Sequence, residues 1–177
     1  MKRIFSAFGF VVLLAAAAMA QAPFGVGNVL AVKRVTDPQL SPDGRVVAFT
    51  VGTVDKAANR VVNQIYTINI DGSRQRQITN GTSSSSGPRW SPDGKKIAFN
   101  NAGQIWTMDA DGGDRDQITK ISTGASSPVW SPDGKWIAFA SEVYPECTTD
   151  DCNKAEDEKA ENSQVKAHVT ERLLFKH

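Results

Sequence analysis

Acids, histidines and tryptophans are scattered through this 177-residue chain, but their spacing assembles no catalytic site. The Gly-x-Ser-x-Gly pattern that sets a serine on a strand-to-helix elbow is absent, so no such nucleophile is nominated. The two histidines, His168 and His177, fall in the last ten residues, away from any nucleophile motif. They read as solvated side chains or as contacts to chain beyond His177. Asp43, Asp93 and Asp133 recur in one repeated tetrapeptide. Calcium loops crowd several oxygen donors into one short loop, and one Asp per turn does not, so these residues are expected to stabilise turns. Trp90, Trp106, Trp130 and Trp136 would suit a sugar-binding platform, but three of them sit at repeat-equivalent, strand-internal positions, which favours packing. Glu142, Glu146, Asp150 and Asp151 form an acidic loop that would suit a basic partner or a substrate amine; a plain solvated loop is the favoured reading. The expectation is no catalytic, cofactor-binding or metal-binding residue in this chain, and no cofactor.

Cys147 and Cys152 lie in CTTDDC. In an exported protein so close a pair reads as a local disulfide, with free thiols as the alternative. Closing so small a loop contributes only about 2 kcal/mol by loop entropy, enough to pin a loop and not to hold a fold. Two thiolates without a second Cys or His cluster make half a zinc site at best.

The positioning elements follow from three copies of Ser-Pro-Asp-Gly, beginning at Ser41, Ser91 and Ser131, in the phrases QLSPDGRVVAFT, RWSPDGKKIAFN and VWSPDGKWIAFA. Pro42, Pro92 and Pro132 set φ at the first central turn position; Asp43, Asp93 and Asp133 can bond nearby backbone; Gly44, Gly94 and Gly134 accept positive φ. The following runs are apolar on both faces, as strands buried from two sides require. Pro38, Pro88 and Pro128 precede each turn and are expected at the first residue of a short strand. A second phrase, QIYTINIDG…QIT and then QIWTMDADG…QIT, recurs 40 residues later. Asp71-Gly72 and Asp111-Gly112 are read as hairpin turns in which both central residues tolerate positive φ. Gln77-Ile78-Thr79 and Gln117-Ile118-Thr119 are placed in outer, more polar strands.

A 40-residue period with several short strands per unit is the signature of a β-propeller blade. The fold class expected is therefore all-β, an incomplete propeller of two full blades plus part of a third, with an N-terminal signal helix and a short helical insertion near the C-terminus. Ten extra residues around 52–63 enlarge the first blade, and insertions in repeat proteins go to loops on one face. The insertion spans 141–177. In it Asn153 is read as a helix cap with Glu156 three residues on, and 165–177 as a weakly alternating strand or loop, strand being favoured.

The first twenty residues read as an export signal, with Lys2 and Arg3, an apolar run, and Ala18-Met19-Ala20 before Gln21. The run is about 15 residues, short of a membrane span. Residues 21–35 lead into the propeller and 36–140 form its blades. The expected location is periplasmic or secreted after cleavage following Ala20, with no membrane contact thereafter. Charge is nearly balanced, 20 Lys plus Arg against 19 Asp plus Glu, which argues against a basic nucleic-acid footprint.

From residue 38 to 140 these units resemble the TolB-type propeller repeat, found in TolB and in the propellers of prolyl-oligopeptidase-family serine peptidases. The segments at 29–44 and 141–177 resemble exported dipeptidyl-peptidase and acylaminoacyl-peptidase-like members. TolB has its own N-terminal domain before the repeats, whereas only about 15 mature residues precede Pro38 here. The resemblance implies the non-catalytic front part of a peptidase. Its partner would be a C-terminal α/β-hydrolase domain missing from this chain, and its propeller would restrict access to small peptides. It carries over no catalytic residue, and assigns no amine-binding role to Glu142 or Glu146. A periplasmic interaction module of the TolB kind, and a propeller on another exported enzyme such as an amidohydrolase, are the alternatives.

Overall fold

The computed structural model describes residues 24–163. The leader expected over 1–20 with its expected cut after Ala20, the strand expected over 165–177, and His168 and His177 lie outside the described residues. A short helix α1 (Val26–Ala31) leads into three antiparallel sheets. The first is β1 (Arg34–Leu40), β2 (Val46–Asp55), β3 (Arg60–Asn69) and β4 (Arg76–Gln77), paired in chain order. The second repeats it as β5 (Ser85–Trp90), β6 (Lys96–Asn101), β7 (Gln104–Asp109) and β8 (Asp116–Gln117). The third holds β9 (Ser126–Trp130) and β10 (Ile137–Ala140), after which the chain turns into α2 (Asp150–Asn162). This is an all-β architecture of propeller blades that do not close into a ring.

The core lies between the first two sheets. Ala48, Ile65 and Ile78 of the first meet Ile97, Phe99 and Met108 of the second, with Trp90 and Trp106 packed alongside. Phe99 is only 1% exposed, a burial that stabilises by roughly 2–3 kcal/mol. Among the described residues the second sheet has a neighbour on each side, and its doubly apolar strand β6 is buried on both faces.

Four local features differ from the sequence reading. Pro38 and its equivalents do not start their strands. The residue before each is left-handed (Asp37 φ 51°, Gly87 φ 66°, Ser127 φ 54°) and the strand pairing shifts register there. Each proline sits at a bulge, where no ladder hydrogen bond is asked of it.

The Asp-Gly turns are the second. Gly72 and Gly112 donate to Asn69 O and Asp109 O at 2.9 and 2.8 Å. Only the glycines carry positive φ (83° and 92°), at the last turn position, while Asp71 and Asp111 keep ordinary φ. Their carboxylates instead accept from the Ser73 and Gly113 amides at 2.9 Å each.

The extra residues of the first blade are the third. They extend paired strand rather than a loop: β2 and β3 stay in register to Asp55 opposite Arg60, four residues longer each than β6 and β7.

The last is α2, which begins at Asp150, earlier than expected. Thr149 is its cap, its hydroxyl accepting from Cys152 N at 3.3 Å. Asn153 is instead a buried helical residue: its Oδ1 accepts from Tyr144 N at 2.9 Å, tying the preceding loop to the helix.

Candidate functional surface

Each Ser-Pro-Asp-Gly turn is closed by the glycine amide on the serine carbonyl, at 2.9 Å in all three copies. The serine hydroxyl donates to the aspartate (Ser41–Asp43 2.5 Å, Ser91–Asp93 2.6 Å, Ser131–Asp133 2.6 Å). It also accepts the amide five residues on, that of Val46, Lys96 or Trp136. The hydroxyl, and next the amides of Arg45, Lys95 and Lys135, hold the carboxyls of Asp43, Asp93 and Asp133 below the ordinary carboxylate value. Those carboxylate oxygens are occupied by the turn. Gly44, Gly94 and Gly134 sit at φ 70°, 71° and 70°, where Cβ would be strained.

Between sheets Trp90 and Trp130 act as hydrogen-bond donors as well as filler, whereas Trp106 Nε1 is buried without a partner among the described residues. Trp90 Nε1 donates to Gln39 O and Trp130 Nε1 to Arg89 O, both at 3.0 Å. These acceptors are repeat equivalents, so each sheet is latched to the preceding one in the same way. Trp136 is 74% exposed and takes no part. Arg115 adds a second latch, donating to Ile78 O at 2.7 Å. Arg89 pairs with Asp37 at 2.7 Å on side chains about one-third exposed; solvent screening leaves such a pair at most about 1 kcal/mol.

The sequence reading missed a polar clamp inside each blade. Thr79 is buried, not part of an outer polar strand. Its hydroxyl donates to Gln64 Oε1 and accepts from Ile65 N, both at 2.7 Å, while Gln64 Nε2 reaches Gly81 O and Ser83 O. Thr119 and Gln104 repeat the arrangement, with Gln104 Nε2 on Ile121 O. The clamp fixes the crossover into the next blade. The equal Gln-to-Thr spacing in both units was its signal in the sequence.

The insertion holds the acidic residues in different settings. Cys147 and Cys152 are joined by a disulfide with Cα atoms 5.4 Å apart. Asp150 belongs to α2 and accepts from Ser122 N and Oγ at 3.0 and 2.8 Å, anchoring the helix to the crossover before β9. Glu142 lines a cleft of about 270 Å³ with Thr123, Val143, Tyr144 and Asp157. There Tyr144 Oη donates to Asp157, which with burial raises the phenol's pKa. Glu146 and Asp151 are exposed. A larger groove of about 570 Å³ lies between the first two sheets, with Asp43, Arg74, Arg76, Trp90, Asp93 and Asp111 on its walls. A third cleft, of about 380 Å³, lies beside the β2–β3 hairpin. Among the described residues no three His, Cys, Asp or Glu side chains group as a metal ion requires, and no helix is long and apolar enough to cross a membrane.

Known proteins are similar to parts of this chain. Dipeptidyl-peptidase 5 of Porphyromonas gingivalis is 35% identical over 104 residues, which is 55% of this chain and 15% of that protein. The uncharacterized peptidase YuxL of Bacillus subtilis is 33% identical over 72 residues, 41% of this chain and 11% of the relative. The chain therefore matches well under a fifth of the length of either. Among solved structures, uncomplexed acylaminoacyl peptidase of Pyrococcus horikoshii superimposes with a TM-score of 0.53 at 27% identity, over 66% of this chain and 18% of that one. The TolB beta propeller domain matches residues 26–162, which takes in every sheet and α2. The chain belongs to the TolB beta propeller domain family.

Proposed function

We propose that this chain is a non-catalytic fragment of the N-terminal propeller of an exported serine peptidase. Its full-length form would hydrolyse small peptides, releasing dipeptides or acylaminoacyl residues, with the propeller gating access to a C-terminal α/β-hydrolase domain. The observation that carries this reading is the 35% identity to dipeptidyl-peptidase 5 over 104 residues, confined to 15% of that protein. The shared fold of acylaminoacyl peptidase supports it. The chemistry of the chain agrees with a gating part: its turn carboxylates are committed to backbone and serine partners. The leader at 1–20 and the Cys147–Cys152 bond fit an oxidising, exported setting. The second reading is a periplasmic interaction propeller with no enzymatic activity, favoured by the family match itself.

The test compares residues 21–177 with the full-length gene product on dipeptide and N-acyl-amino-acid chromogenic substrates. The expected result is activity in the long form alone, abolished by a serine-directed inhibitor. An active, monodisperse short form would overturn the proposal. If neither form is active but the long one captures a periplasmic protein, the interaction reading takes its place.

A further inference from the structure

One end of the sheets, where the second strand of each passes to the third, departs from the repeat. In the second sheet that passage is the two-residue turn Ala102-Gly103, with φ 49° and 72°. In the first sheet β2 and β3 rise further to a turn at 56–59, and in the third the passage is replaced by 141–149 and α2. Additions to repeat proteins collect on one face, which is often the binding face. The cleft of about 380 Å³ opens at this end, walled by Arg60, Ser83, Ser84, Ser86, Asn100 and Asn101.

Its chemistry is one-sided. Arg60 is the cation lining it, and no carboxylate does. Arg60 is exposed; its Nη2 donates to Thr82 O at 3.0 Å and its guanidinium makes no ion pair among the described residues. Asp55, opposite it in the hairpin, has Oδ1 committed to the Ala57 and Ala58 amides at 3.1 Å each. Ser84 Oγ accepts from Asn63 N and keeps its own proton to donate. Asn100 Oδ1 is buried and makes no hydrogen bond among the described residues, so a charge placed there would be felt across this wall. A guanidinium fork matches a carboxylate, and hydroxyls and carboxamides, which donate and accept, match the alternating N–H and C=O of an extended backbone.

We propose that this cleft takes the C-terminal end of an extended peptide, its carboxylate on Arg60 and its last backbone groups along the wall of Ser83, Ser84, Ser86, Asn100 and Asn101. This rests on the reading of the protein as one that handles peptides. Binding is measured by calorimetry on the full-length protein treated with a serine-directed phosphonate, so that no peptide is consumed. The probes are Ala-Ala-Ala-Ala, its C-terminal amide, and acetate. The free acid is expected to bind about fivefold more tightly than the amide, the scale of one exposed charge pair. Arg60→Ala should erase that difference, costing the acid more than the amide, and Arg60→Lys should retain part of it. Asn100→Asp, nearly isosteric, should weaken the acid selectively. Equal affinity of acid and amide, a preference that survives Arg60→Ala, or acetate binding as tightly as the tetrapeptide would overturn the proposal. Because the readout is binding, a protein that hydrolyses chromogenic substrates yet shows no carboxylate preference sinks the cleft alone. A preference without hydrolysis sinks only the peptidase.

Discussion

Replacing Thr79 by valine keeps the shape of a side chain that is 2% exposed and deletes its oxygen. Two groups then lose partners at once: Ile65 N, now 2.7 Å from Oγ1, and Gln64 Oε1, which accepts from it at the same distance. Neither is replaced by water at a site this closed. Leaving a buried amide unpaired costs about 1–3 kcal/mol, and losing the hydroxyl-to-carboxamide bond about 1 kcal/mol net. The added methyl returns about 0.8 kcal/mol through burial. The expected destabilisation is therefore about 1–3 kcal/mol, read as a lower urea midpoint with an unchanged slope. A double-mutant cycle with Gln64→Leu should show coupling above about 0.5 kcal/mol, since the two side chains share one network. The same substitution at Thr119 should behave alike, because its hydroxyl bonds Ile105 N at 2.9 Å and Gln104 Oε1 at 2.7 Å. A Thr79→Val protein within about 0.5 kcal/mol of the parent, the range of neutral surface changes, would refute the clamp.

Three further outcomes follow from the geometry. Gly112→Ala should destabilise by at least about 2 kcal/mol: φ is +92° and the new Cβ would sit 2.8 Å from Ile78 O in the preceding sheet. Gly72→Ala, at φ +83° with nothing within 4 Å, should cost the backbone strain alone, and equal urea midpoints for the two would count against the inter-sheet contact. The carboxyls of Asp43, Asp93 and Asp133 titrate lower in the folded protein than in the unfolded chain. Their contribution is then complete above the ordinary value of 3.8 and lost as pH falls through the depressed value, so stability should drop on acidification below about pH 4. Asp93→Asn should flatten that dependence in acid titrations. Replacing Cys147 and Cys152 together by serine should loosen residues 141–149 by about 2 kcal/mol of loop entropy. Limited proteolysis should detect faster cleavage there, and digests of the unreduced parent should contain the two cysteines in one cross-linked peptide; free alkylated thiols in exported material would contradict the bond.

Much of the blade was legible because its information is local. Ser-Pro-Asp-Gly specifies its turn through φ at proline, φ at glycine and a carboxylate within reach of its own backbone. The 40-residue offset exposed the strand order for the same reason. Local reading failed where a distant partner decides. The prolines looked like strand starts because their fit at a bulge depends on the register of the neighbouring strand. Asn153 looked like a cap, but Thr149 already caps the helix, and Tyr144 N, nine residues earlier, claims the carboxamide. Arg60 had no visible role, since its cleft is made by a crossover and a hairpin far apart in sequence.

The residues that match between blades mark this limit most clearly. Ile78 and Ile118 occupy the same place in the same phrase, yet one is 4% exposed and the other 50%. Phe99 and Phe139 differ likewise, 1% against 41%. The sequence by itself determined the repeat, its turns and its apolar strands, because those depend on backbone preferences and nearby side chains. Only the tertiary structure decided which copies become core. A blade cannot bury its own faces, and the water is removed by whichever sheet packs beside it.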